Sequence, residues 1–195
     1  EARICRKELW ETSTTTAWYT SLPFIFDIQS LDTEDLKNQA LKRLRQVDNF
    51  IDTEIENLRL GLSLGYSSPR VTVLAVPSEA RALLEENSPF LDIGIRANDA
   101  FFKEKVQKIF DEEIAPAVHR FADFIEKDYL NKARKDLSIS FNPNGAECYP
   151  ALVRSFVTIK PSADEIHELG LQQIKKIRVE MEAILSEYYS GESIE

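Results

Sequence analysis

The chain has 195 residues, 43% of them apolar, and a formal net charge of -9 from 33 acidic and 24 basic residues. That is enough apolar material for a buried core, yet no run approaches the roughly 18 apolar residues that span a bilayer. Lysines and arginines sit beside acids, as in Lys103-Glu104-Lys105, so the clustered basic footprint of a nucleic-acid binder is missing and nucleic acid is excluded as a partner.

The six glycines and eight prolines are scattered, which argues against low complexity. Glu1 opens the chain and Met181 is its only methionine. The chain is therefore expected to be a piece of a longer protein. It begins with no basic stretch followed by an apolar one, so no signal peptide is expected within these residues.

Residues 2–21 are expected to form a helix carrying Leu9, Trp10 and Trp18. The run Thr12-Ser13-Thr14-Thr15-Thr16 is a poor helix former, so packing would have to hold it. A long helix near 33–64 follows from Leu36, Ala40, Leu44, Val47, Ile51, Ile55, Leu58 and Leu62, spaced three or four apart. Asp32 or Thr33 can cap its start, and Gly65 supplies its stop. Residues 69–86 read as a helix kinked or split at Pro77, and 87–99 as a loop around Ser88-Pro89 and Gly94.

Phe102, Val106, Ile109, Ala117, Phe121, Phe124 and Tyr129 predict a second long helix near 98–137, with a kink or break near Ile114 because Pro116 follows. At most one short strand pair is expected, near 138–141. Asn142-Pro143-Asn144-Gly145 makes a turn before a short helix over about 148–158. A third long helix near 162–189 follows from Ile166, Leu169, Ile174, Ile177, Met181, Ile184 and Tyr188. It opens on Ser162-Ala163-Asp164-Glu165, a capping box directly after Pro161. The fold class is all-α, an irregular multi-helix array, with 1–195 read as one helical region.

Motifs for chemistry are sparse. Gly61-Leu62-Ser63-Leu64-Gly65 matches the G-x-S-x-G of a nucleophile elbow, but an elbow needs a strand before it and a helix after it. Here it ends a long helix. His167-Glu168-Leu169-Gly170-Leu171 starts like a zinc-protease helix and then has Leu171 where the second histidine belongs. His119 has Pro116 three residues before it and so lacks the E-x-x-H pairing of a di-iron bundle. No phosphate-binding loop, dinucleotide fingerprint or C-x-x-C occurs. No catalytic residue, metal ligand or cofactor site is assigned within the chain. Cys5 and Cys148 are too far apart in sequence for a metal pair. Composition leaves them as two buried thiols or one disulfide.

Several segments resemble one family. Arg3-Ile4-Cys5-Arg6-Lys7-Glu8-Leu9-Trp10 is similar to its CRxELW segment. Gly145-Ala146-Glu147-Cys148-Tyr149, with Val153-Arg154, is similar to GxxxYxxxVR. Glu165-Ile166-His167-Glu168-Leu169-Gly170-Leu171, followed by Ile177-Arg178-Val179-Glu180-Met181, is similar to EIHxLGL…IRxEM. Residues 52–62 fit its long helix. The family is domain of unknown function 885, bacterial proteins often made as exported lipoproteins and resembling helical zinc metallopeptidases.

The resemblance implies a middle helical segment that helps wall a substrate cleft, with Tyr149 and Arg154 as the residues facing a peptide substrate. The family's zinc motif lies beyond the EIHxLGL helix, so zinc is expected in the parent protein and none of its ligands in this chain. The implied partner is the remainder of the parent chain, and the implied location is periplasmic or lipid-anchored at the cell envelope. Export, with each cysteine inside a family-like segment, leads to the expectation that Cys5 and Cys148 pair as a disulfide. The competing reading is a stand-alone helical module that binds a partner protein in a groove.

Overall fold

The computed structural model describes residues 2–157 and 161–188, and the fold is all-α. It divides into two units, Arg6–Gly145 and Glu1–Cys5 with Ala146–Glu195.

In the larger unit the Thr-rich run behaves as its propensities dictate. No helix spans 2–21. Short 3-10 turns form over Ala2–Cys5 and Lys7–Leu9, and the first α-helix, α1, is Trp18–Asp27. Ser13 Oγ accepts from the Thr15 and Thr16 backbone N–H groups, the local competition that keeps such residues out of helices.

Helices α2 (Glu34–Leu44) and α3 (Gln46–Ser63) replace the single expected helix, with one non-helical residue, Arg45, between them. Thr33 is the cap that forms, its Oγ1 accepting from Leu36 N–H at 3.2 Å. Ala40, Leu44, Val47, Ile51, Ile55 and Leu58 are buried on one continuous stripe. At the far end Gly65 takes φ +84°, a conformation that costs a glycine nothing. Tyr66 N–H then donates to Gly61 O, and Gly65 N–H to Leu62 O, closing the helix in a Schellman motif. Ser63 Oγ donates to Leu60 O, so this serine belongs to a helix terminus.

The 69–86 segment splits into α4 (Arg70–Val73) and α5 (Val76–Ala82), with Pro77 in the first turn of α5. The 87–99 segment departs from expectation and holds α6 (Pro89–Arg96). Ser88 caps it through Phe90 N–H, and Pro89 sits where a helix tolerates proline.

The second long helix runs from α7 (Ala100–Ile109) through α8 (Ala115–Phe124) to α9 (Leu130–Lys132). Two π-helical turns, Phe110–Ile114 and Ile125–Tyr129, join the three. The expected break near Ile114 is thus a widened turn: Ala115 N–H reaches back to Phe110 O, five residues away, just before the proline that cannot donate. This helix is the axis of the unit. α2 and α6 pack on α7, while α3 and α5 pack on α8. Trp18 meets Phe121 edge to face at 5.3 Å, and Phe26 meets Phe90 at 5.5 Å.

Among the described residues no strand forms. The 138–141 segment is a 3-10 turn, Ile139–Phe141, and one bridge joins Pro69 and Arg134. Helix α10 is Gly145–Phe156, starting earlier than expected, and position 158 lies outside the described residues.

In the smaller unit, α11 (Ala163–Tyr188) is a single helix of 26 residues. Its capping box forms as a reciprocal pair. Glu165 N–H donates to Ser162 Oγ at 3.2 Å, and Ser162 N–H donates to Glu165 Oε2 at 2.7 Å. Position 189 lies outside the described residues.

Candidate functional site

The most polar interior point of the larger unit is built around Tyr129, which is fully buried on the second stripe. Its hydroxyl accepts from Ser68 N–H at 2.8 Å and donates to Trp10 O at 3.3 Å. Ser68 Oγ also donates to Trp10 O, Asn142 Oδ1 accepts from Ser67 N–H, and Arg134 donates to both the hydroxyl and the carbonyl of Ser67. Burial pushes the Tyr129 phenol up to about 12 and holds the Arg134 guanidinium below its ordinary value. The Thr12 hydroxyl and the Asn142 amide nitrogen are buried there without a partner. These groups satisfy the irregular 65–69 loop, whose backbone would otherwise be buried unpaired. With no solvent path to Tyr129, this is a structural knot.

Shallow clefts open on the same unit, two of them beside the middle of α3. One, of about 480 Å³, runs along α3 and α8 and is lined by Asp52, Arg59, Arg120, Asp123 and Lys127 among others. Its charges are spent on one another. Arg120 is held by Asp48 and Asp52, and Arg81 reaches Asp123 at 2.9 Å and Glu126 at 2.7 Å. Arg59 lies 5.1 Å from the centre of the Phe124 ring. The lattice fastens α3, α5 and α8 and does not converge on a reacting point.

The other cleft, of about 380 Å³, is lined by Glu54, Phe50, Trp18 and the hydroxyls of Thr15, Thr16 and Thr20. Desolvation pushes the Glu54 carboxyl up, and that carboxyl accepts no hydrogen bond. Hydroxyls and the Lys7, Glu8 and Glu11 side chains line the same cleft, but none is hydrogen-bonded to Glu54, so no acid–base pair is formed there. The sequence signal for it was available: Glu54 directly precedes Ile55 and follows Ile51 by three, at the margin of a buried stripe.

The sequence-selected residues fall on α10. Cys148 and Ala151 are its buried side. Tyr149 is 49% exposed, and Arg154 is exposed five residues on, about 140° around the helix. The two therefore leave α10 in different directions. Cys5 and Cys148 are joined as a disulfide, their Cα atoms 4.8 Å apart, inside the range such a bond requires. His119 and His167 are exposed on α8 and α11. Among the described residues no group of three or more His, Cys, Asp or Glu side chains is placed to hold a metal ion. With the cysteines bonded to each other, the described residues bring together no set of side chains that would hold a zinc ion.

What remains is a surface. Ile166, Leu169, Ile174, Ile177, Met181, Ile184 and Tyr188 lie along one side of α11 and are 36–69% exposed. An amphipathic helix draws most of its stability from packing that face. Monomeric proteins seldom leave so long an apolar strip open. On α10, Tyr149 and Phe156 are exposed as well, the latter by 84%, and lie two turns apart on one side of that helix.

No described helix is long and apolar enough to cross a membrane. No curated protein matches the chain. Its fold is similar to the crystal structure of "the putative lipoprotein from Colwellia psychrerythraea", with a TM-score of 0.84 at 19% identity, over 94% of this chain and 34% of that one. At that identity the likeness is one of fold, and the chain spans about a third of the relative's length. The sequence profile of bacterial proteins of unknown function, DUF885, matches residues 2–194. The chain belongs to the DUF885 family.

Proposed function

We propose that residues 1–195 are the helical, cleft-walling part of an exported, envelope-associated zinc hydrolase of peptidase type, and are catalytically incomplete alone. The exposed apolar side of α11 carries this reading, since it is a surface built to be covered. The relative of the same fold, about three times as long and described as a lipoprotein, supplies a setting for both the cover and the export. A disulfide between Cys5 and Cys148 suits an oxidising compartment. The zinc ligands then belong to the rest of the parent chain, and Tyr149 and Arg154 would be presented to a peptide from α10. The alternative, a stand-alone module that grips a separate protein with the same face, shares the α11 observation but leaves the length of the relative unused.

The test is hydrolysis of a peptide library by the full-length protein before and after chelation. Cleavage that is lost with a chelator and restored by zinc supports the reading. Cleavage indifferent to chelation, or a metal-replete protein with no hydrolytic activity, overturns it.

A further inference from the structure

Gly170 sits in the interior of α11, where glycine lowers helix stability relative to alanine. Other glycines of the described residues have visible causes. A Cβ on Gly61 would lie 1.7 Å from Leu9 O, one on Gly145 would lie 2.0 Å from Ile139 O, and one on Gly94 would press on Lys103 of α7 at 3.3 Å. Gly65 supplies a positive φ. A Cβ on Gly170 would meet nothing within 4 Å.

Its position on the helix is informative. At 100° per residue, Gly170 lies four after Ile166 and four before Ile174, in the middle of the exposed apolar side. It is a notch in that side, of the kind that elsewhere in this chain admits another element's backbone.

We propose that the apolar face of α11 is the seat of a helix from the part of the polypeptide outside residues 1–195, and that this helix crosses α11 at Gly170. The proposal rests on reading the chain as part of a longer protein. Chain of the right extent exists in the relative, of which only 34% is matched here.

A second copy of α11 is a poor occupant on charge grounds. Asp164, Glu165 and Glu168 open the helix, Lys175, Lys176 and Arg178 occupy its middle, and Glu180, Glu182 and Glu187 follow. Parallel pairing in register sets each block beside itself. Antiparallel pairing sets acid beside acid at the ends and base beside base at the centre, and like charges across a helix pair are unfavourable.

The experiment uses the full-length protein with a photo-crosslinking amino acid at Ile177, followed by proteolysis and mass spectrometry. Crosslinks within one molecule to a segment outside residues 1–195 are expected. Crosslinks to residues 6–145, to a second copy, or to no protein at all would overturn the proposal. Gly170→Ala, Gly170→Leu and the opposite-face control Gln172→Leu are compared by thermal melting and by binding of a hydrophobic dye. Expected is a lowered Tm for Gly170→Ala, a lower one for Gly170→Leu with increased dye binding, and no change for Gln172→Leu. An unchanged or raised Tm for Gly170→Ala, as open space at that position predicts, would remove the crossing point. These readouts need no activity, so a failed hydrolysis assay and a failed docking assay are told apart.

Discussion

At the scale of single residues, Tyr129 shows how a polar group earns a place in an apolar stripe. Its ring faces Phe124 at 6.1 Å while its hydroxyl takes up the Ser68 N–H that the irregular 65–69 loop leaves over. Tyr129→Phe keeps the ring and strands that N–H, so it should cost about 1–3 kcal/mol in denaturant unfolding. The same burial sets a pH dependence. The protonated phenol is the favoured folded form, and its pKa rises from 10 to about 12. Its contribution is therefore complete below pH 10 and is lost as the pH climbs from 10 towards 12. Tyr19, raised by burial and by its hydrogen bond to Glu79, acts in the same direction. Alkaline unfolding midpoints should show wild type losing stability over that window and Tyr129→Phe losing less. At Gly61 the constraint is steric. Gly61→Ala would drive a Cβ into Leu9 O, and the cost should be at least about 1–3 kcal/mol, since backbone cannot swing aside as a side chain can.

At the scale of elements, the start of α11 is set by its capping box and is testable by pH. The Glu165 carboxyl is held below its ordinary value by the backbone N–H and then the hydroxyl of Ser162. A depressed carboxyl stabilises above its unfolded pKa, so this support is full at neutral pH and fades as the pH falls below about 4.5. Ser162→Ala should lower far-ultraviolet ellipticity at neutral pH, and the gap from wild type should close at low pH. That capping box was legible in four letters of sequence, as were the stop at Gly65 and the two buried stripes, because each is a local rule acting within one or two turns. The failures were not local. Residues 89–96 look like a loop because Pro89 and Gly94 are breakers by habit. Here Pro89 is the first residue of α6, and Gly94 answers the close approach of α7. Periodicity located α11 but could not say whether its stripe is covered, since spacing reports which residues share a face and not what faces them. Tyr149 and Arg154 were chosen by resemblance, and only the helix geometry shows that about 140° separates them.

At the scale of the whole molecule, the disulfide joins residues 143 apart in sequence, so it closes a loop that encloses the whole of the larger core. In the chain-entropy account such a bond acts chiefly on the unfolded chain, whose freedom it removes, and a loop of this size is worth about 4–5 kcal/mol. Hydrophobic packing in the larger unit does not pass through that bond: Trp18, Phe121, Ile51 and Phe90 belong to a core of residues between Ala17 and Ala133. Reduction should therefore lower stability without dismantling the helical array. The expected result is a Tm lowered by on the order of 10 °C in reductant, with the far-ultraviolet spectrum at room temperature nearly unchanged. The Cys5→Ser, Cys148→Ser double variant should show the same Tm with or without reductant, which separates loss of the bond from any other action of the reagent. A reduced protein that melts with the oxidised one would mean that unfolded-state entropy is not what this bond controls.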